Sequence, residues 1–387
     1  MKKKLKLIIF ILFFLFTESG CYNRLETIQT AVCAGVGATL TPDNRIEFTV
    51  QLNKPVNPQK TTIFTQQVEI LSTKGNSITE AARRVMLALP RVPLWSHADI
   101  FIIGGNLARK DLSFLMDFIS RNRNLRHDIA VLVSPDNTPE EILNSTCPLS
   151  LCSSRGILRI LNFQEKNLGS YRKINMYQFF SQLDTPGIDP AVPQVVITKD
   201  IKGNNILTIK GMAVFSGRKM VGSLNEMESR GYRLIKTPNK SGGIISIKFP
   251  FNHKNEYIDL EIRKLKNSIK PLKKDNKVII KVKADLYVNI FGIQAEQEIL
   301  TPEKIGLVEK AAEAAIKKDI TSCIKKSQKL NGDILGFGQA IYRYMPEEWE
   351  KLEDNWQQIY PLIKWEVEVK VKIKDTYLTH KVYTPQI

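Results

Sequence analysis

Few side chains in this 387-residue chain are spaced for chemistry. Four histidines, His97, His127, His253 and His380, are scattered, and none stands four residues from another, so a helical metal pair is absent. The irregular cysteine spacing matches neither a disulfide framework nor a zinc pattern. Cys33 and Cys323 lie in apolar segments and read as core residues. Cys147 and Cys152 flank Pro148, and a local disulfide between them stays open. Ser96 and His97 are adjacent, so they point apart, and no G-x-S-x-G elbow is present. Gly35-x-Gly37 has no third glycine, since Leu40 stands there. It reads as a β-bulge or close packing rather than a dinucleotide loop. Glu226 and Glu228 sit two apart, which separates them on a helix. Glu228, Arg230 and Tyr232 fit either a partner contact or a solvated turn. Asp333, ahead of Gly336-Phe337-Gly338, fits a helix cap that packs its phenylalanine, or a docking point. No acid pair, nucleophile or metal set emerges, so the chain reads as non-catalytic, with no cofactor.

The remaining chemical group is Cys21. Lys2, Lys3, Lys4 and Lys6 precede an apolar run from Leu7 to Phe16, followed by Thr17, Glu18, Ser19 and Gly20. Basic, then apolar, then small is the layout of an export signal. Ten apolar residues fall short of the ~20 that span a bilayer. Ser19-Gly20-Cys21 resembles the lipobox of bacterial lipoproteins, in which the thiol takes a diacylglyceryl group and cleavage makes the cysteine the new N-terminus. Two acyl chains hold a protein stably where one holds it marginally. Residues 1–20 are therefore expected to be a signal peptide, and the mature chain to sit outside the cytoplasmic membrane, tethered at Cys21.

Net charge is +17. Residues 1–20 carry four lysines and one glutamate, so +14 lies beyond them. For an exported lipoprotein this favours anionic lipid or wall polymer over nucleic acid, beside the plainer role of a soluble, lysine-rich surface. With 43% hydrophobic and 25% charged residues the composition is that of a globular protein, and its length suggests two or three domains.

Periodicity supplies the elements that must position these groups. Ile28–Thr41 and Arg45–Leu52 read as strands paired across Pro42-Asp43-Asn44, with a further strand at Gln67–Leu71. Ser77 and Glu80 form a capping box ahead of a helix with Ile78, Ala81, Ala82, Val85 and Leu89 on one face. Buried strands at Asp99–Ile103 and Ile129–Val133 alternate with helices at Asp111–Ser120, after Thr138, and near Arg155–Gln164 and Ile174–Gln182. This describes an α/β domain over 21–198, with a boundary in the proline cluster Asp184–Pro193. Strands at Ile206–Phe215 and Lys219–Val221 and a short helix at Leu224–Arg230 suggest a small middle domain or subdomain over 199–243. Residues 244–387 read as α+β: an antiparallel sheet (Ile244–Phe249, Tyr257–Ile262, Val278–Ile290, and a closing strand through Trp365 and Ile373), one long helix capped by Thr301, and a second helix over Glu347–Tyr360. The fold class is thus mixed α/β and α+β, multi-domain, with flanking helices.

Several ordered stretches together resemble the Ger(x)C family, the C-subunit lipoproteins of spore nutrient germinant receptors. They are Gly20-Cys21-Tyr22-Asn23-Arg24-Leu25-Glu26; Gly75-Asn76-Ser77-Ile78-Thr79-Glu80-Ala81; His97 through Gly104-Gly105; Lys210 through Phe215 with Val221-Gly222 and Leu224; and Asp333 through Gly338 with Pro346 and Trp349. The resemblance implies a three-domain extracytoplasmic protein, lipid-anchored at the inner membrane of the spore. It also implies assembly with two integral-membrane subunits, A and B, in a receptor triggered by small nutrients. The rival expectation is a lipid-anchored solute-binding protein or cell-wall enzyme; a solute binder calls for two similar lobes around a cleft.

Overall fold

A computed structural model describes residues 26–54, 68–122, 124–237, 242–248, 256–294 and 302–375. Cys21, the signal-like stretch, the loop after Asn53 and the Thr301 cap lie outside them.

The first sheet is built on β1 (Thr30–Leu40), which pairs antiparallel with β2 (Ile46–Asn53) and parallel with both β4 (Val92–Leu94) and β5 (Ile100–Gly104). β2 carries β3 (Val68–Gly75) at one edge. On the other side β5 pairs parallel with β6 (Ala130–Ser134), then come β7 (Ala191–Lys199), β8 (Asn205–Ser216) and β9 (Lys219–Leu224). β5 and β6 are buried at every position, as parallel strands covered on both faces must be. Their side chains alternate between two cores. Phe101, Ile103, Val131 and Val133 pack under α1 (Ile78–Arg84) and α3 (Ser113–Arg121), whereas Ile100, Ile102 and Leu132 pack under α4 (Pro139–Asn144) and α5 (Ser153–Asn167). The remaining helices of this part are α2 (Gly105–Lys110), α6 (Met176–Asp184) and α7 (Glu226–Lys236).

The proline cluster at 184–193 does not break this sheet: β7 joins β6 at Val133–Gln194, and β8 and β9 extend the same layer. The strands of 199–243 therefore do not form a sheet of their own. Pro193 lies within β7 opposite Met212, where the ladder shifts register, so its missing N–H falls at an irregularity.

The second sheet has the order β10 (Ile244–Lys248), β11 (Tyr257–Lys274), β12 (Lys277–Gln294), β13 (Lys364–Asp375). β11 and β12, each 18 residues long, form a hairpin closed by Asp275 and Asn276, both at positive φ, as a two-residue primed turn requires. β11 runs twelve residues beyond the expected Ile262, because pairing with β12 overrides Asn267, Ser268 and Pro271. The expectation of an antiparallel sheet holds for three strands only; β13 runs parallel to β12. The long helix α8 (Pro302–Leu330) is the crossover that a parallel pair needs. Its face Val308, Ala312, Ile316, Ile320 and Ile324 is buried as expected. Glu309 and Glu313 of α8 accept the outward N–H groups of Ile373 and Val371, which satisfies the edge of β13. The expected single helix over 347–360 is broken into α10 (Pro346–Leu352), a 3-10 turn (Glu353–Asn355) and α11 (Trp356–Ile359), and a further helix, α9 (Phe337–Tyr344), precedes it.

One core cluster runs from Ile100 and Leu132 through Tyr232 and Leu234 of α7 to Leu286 and Ile320. The two sheets thus share a hydrophobic core while differing in size and topology. They are not the paired similar lobes of a solute binder.

Gly35 and Gly37 are close-packing sites. The ladder shifts register between Cys33 and Gly35, and a Cβ at Gly35 would lie 2.0 Å from Ser154 Oγ. That approach lets Ser154 donate both its N–H (3.1 Å) and its hydroxyl (2.6 Å) to Gln51 Oε1, while Gln51 Nε2 donates to Leu143 O and Ser153 Oγ, each at 2.8 Å. Gln51 is fully buried. Gln51→Leu is expected to cost about 2–3 kcal/mol by orphaning these groups, read as a lower urea midpoint with unchanged slope. Cys147 and Cys152 are both buried and free, with Cys152 Sγ donating to Gln51 Oε1 at 3.2 Å.

Candidate functional site

The sequence-derived candidates converge on the junction between the sheets. Asn225 caps α7 in a reciprocal box: its Oδ1 accepts the Glu228 N–H at 2.9 Å and Glu228 Oε2 accepts the Asn225 N–H at 2.8 Å. Glu228 is thus committed to its own helix. Arg230 Nε donates to Asp319 Oδ2 of α8 at 2.6 Å, with Asp319 almost wholly buried. Burial pushes the Asp319 carboxyl up and Arg230 draws it back. Tyr232 is fully buried, which rules out the solvated turn expected for this stretch. Between Arg230 and Tyr232, Gly231 brings α7 onto α8: a Cβ there would sit 2.3 Å from Asp319 O.

Asp333 and Phe337 are also buried, so neither side chain is a surface docking point in this fold. Asp333 is instead the cap that the sequence allowed. Its Oδ1 accepts N–H groups of Gly336 and Phe337, both at 2.9 Å. Its Oδ2 accepts the N–H of Gly338 at 2.8 Å and Trp356 Nε1–H at 3.2 Å. Gly336 stands ahead of α9 at φ 73°, a left-handed position open to glycine. Burial raises the Asp333 carboxyl to about 7 against the pull of the N–H donors and of Lys236. Lys236, whose Nζ donates to Leu335 O at 3.2 Å, is pushed down to about 8 by burial.

This cap is locked to the first sheet by a segment that sequence reasoning read as a boundary. Asp189 Oδ2 accepts the Asp333 N–H at 2.7 Å, Asp189 N–H donates to Asp333 O at 2.9 Å, and Asp189 Oδ1 accepts the Gly217 N–H at 2.7 Å. Gln339 N–H donates to Gly187 O at 2.7 Å. Gly187, at φ 69°, lies so close to Gly338 that a Cβ on Gly338 would be 2.7 Å from the Gly187 Cα, and as close to Trp349 and Trp356. Trp349 and Trp356 have ring centroids 5.4 Å apart, Trp356 and Tyr360 5.9 Å, and Phe337 and Tyr360 6.1 Å. The Tyr360 hydroxyl hydrogen-bonds Ser327 of α8. Asp333, Gly336, Phe337, Gly338 and Trp349 form one latch, and Pro346 opens α10, the helix that carries Trp349. Asp189 and Gly187 are its other half, and the sequence signal beside them, Pro186 and Pro190, pointed to a domain boundary.

Other stretches of the resemblance that fall within the described residues are likewise structural, while Gly20 through Leu25 lie outside them. Gly211 sits at φ 82°, Met212 through Phe215 are buried, and a Cβ on Gly222 would meet Leu330 of α8 at 2.5 Å. His97 is exposed in a 3-10 turn ahead of β5. Among the described residues no group of acids, cysteines and histidines could hold a metal ion, and no helix is long and apolar enough to cross a membrane.

Two family models tile the chain: the spore germination protein N-terminal domain over residues 23–197, and the spore germination B3/GerAC-like C-terminal domain over 210–377. Spore germination protein KC of Bacillus subtilis (strain 168) is 25% identical, covering 98% of this chain and 97% of the relative. Spore germination protein B3 of the same organism is 20% identical, covering 93% of this chain and 95% of the relative. The crystal structure of the GerBC protein superposes with a TM-score of 0.53 at 17% identity, covering 88% of this chain and 96% of that one, and shares the fold. With both halves matched in order and the latch motif assembled in three dimensions, the chain belongs to the Ger(x)C family of spore germination proteins.

Proposed function

We propose that this chain is the C subunit of a nutrient germinant receptor. It is held on the outer face of the spore inner membrane by acylated Cys21 and acts as a non-catalytic adaptor for the integral-membrane A and B subunits. The observation that carries this reading is the family match across both halves of a chain whose first 21 residues have lipoprotein layout. The shared core and the Asp189–Asp333 latch support a rigid adaptor rather than a hinged binder. Anchoring raises the concentration of the folded part beside its membrane partners without any new contact. Cys21→Ala is expected to remove the protein from the spore membrane fraction, read by immunoblot, and to abolish the response to the nutrient. Full germination with an unacylated, soluble form would refute the reading. Submicromolar binding of one nutrient to the purified chain by calorimetry would favour a solute binder.

A further inference from the structure

We propose that the turn over residues 83–92, with Ile28 beside it, docks on the surface of an anionic phospholipid bilayer. From Ala81 to Ala98 the chain holds three arginines, Arg83, Arg84 and Arg91, and no acid, although Arg84 reaches back to pair with Glu80 at 2.7 Å, so Arg83 and Arg91 carry most of the charge. Between them Leu87 is 83% exposed and Met86 49%. These follow directly on α1 in a 3-10 turn over Val85–Leu87, whose Val85 is buried beneath them. Val92 then opens β4 with an exposed side chain, and Ile28 is 71% exposed. β4 runs parallel to β1 with Thr30 opposite Val92, so residue 28 and the 83–92 turn leave the sheet at the same end.

Single exposed apolar residues are ordinary on a protein surface. Here the apolar tips alternate with guanidinium groups. Arginine can lay its stem along apolar surface and keep its head at the phosphate level, the pattern of an interfacial segment. Chain reach names the occupant. Cys21 precedes Glu26 by five residues, which span at most about 18 Å. If Cys21 is acylated, as proposed above, the lipid surface lies within that distance of this end of the sheet. Charge names the lipid: each basic residue near an anionic surface adds attraction, so phosphatidylglycerol is favoured over a neutral headgroup. Docking there would fix the orientation of the molecule as well as its tether. The β7–β8 turn, with Ile201 fully exposed between Asp200 and Lys202, would then point away from the membrane, because β7 runs parallel to β6, β5 and β1.

The test uses the full chain isolated from membranes with Cys21 in place, carrying Leu87→Cys or Ile201→Cys and a nitroxide on the new thiol. The thiols of Cys33, Cys147, Cys152 and Cys323 are buried. In vesicles containing phosphatidylglycerol, access of an aqueous nickel reagent to position 87 is expected to fall severalfold, while position 201 stays open. In phosphatidylcholine alone, or with Arg83→Ser, Arg84→Ser and Arg91→Ser combined, the shielding at 87 is expected to be lost. Position 87 open to nickel in phosphatidylglycerol vesicles would overturn the inference. So would equal shielding in a lipid-free, detergent-solubilised assembly, which would assign the turn to a protein partner. The mass of the N-terminal peptide from the same sample separates the two readings. An acylated terminus with position 87 in water defeats only the docking surface. An unmodified terminus with phosphatidylglycerol-dependent shielding defeats only the anchor.

Discussion

Asp333→Ala is expected to destabilise the protein by about 3–5 kcal/mol, since it strips acceptors from buried N–H groups that have no water to turn to. Four donors, Gly336, Phe337, Gly338 and the Trp356 indole, converge on this one carboxyl. Its loss would also loosen the two hydrogen bonds that Asp189, through its carboxylate and its N–H, makes with the Asp333 backbone across the junction. Urea unfolding followed by tryptophan fluorescence is the direct measurement, because Trp349 and Trp356 sit in the affected cluster. A loss below about 1 kcal/mol, the typical net worth of one hydrogen bond, would mean that the latch is not holding the junction. Asp333→Asn separates charge from shape. The folded carboxyl, raised from 3.8 to about 7, takes up a proton that the unfolded one does not take until much lower pH. Its contribution is therefore fully present below about 4 and is lost as pH rises through about 7, with a slope of at most roughly 1.4 kcal/mol per pH unit in between. Lys236, depressed from 10.5 to about 8, changes its contribution only above that window, between about 8 and 10.5. Stability measured against pH in the wild type, minus that in Asp333→Asn, should isolate this slope; a flat difference would contradict the raised value.

A second large effect is expected at Gly231. A Cβ there would meet the Asp319 carbonyl at 2.3 Å and Cys323 Cβ at 3.0 Å, both on α8. Neither backbone nor a buried thiol stem can swing aside. Gly231→Leu should force α7 off α8, part Arg230 from Asp319 and cost about 3 kcal/mol or more. Gly306, near the start of α8, is the internal control: nothing lies within 4 Å of its Cβ position. Gly306→Ala is expected to stabilise by about 0.5–1 kcal/mol through helix propensity alone. Opposite signs at two helical glycines would establish that the α7–α8 contact, not helix formation, sets the first result. Thermal unfolding of both variants beside the wild type decides it; a Gly231→Leu protein as stable as the wild type would count against the packing described.

By itself, the sequence determined what depends on local pattern. Period-2 and unbroken apolar runs gave β1, β2, β5 and β6, and the 3.6-residue period of Val308 through Ile324 gave the buried face of α8, because a strand or helix exposes its burial in its own spacing. The ordered short motifs were enough to identify the family. The tertiary structure alone decided what depends on partners far along the chain. Pro186 and Pro190 look like a domain boundary in isolation, yet Gly187 and Asp189 beside them complete a cap begun 144 residues later. Asn267 and Pro271 look like strand breakers, yet β12 holds them in an 18-residue strand. Glu228, Arg230, Asp333 and Phe337 look available for a partner, yet folding commits each to an internal contact. A charged or aromatic residue reads the same in sequence whether it faces solvent or a buried donor. Only the packing of α7, α8 and the 333–360 segment against one another settles which it does.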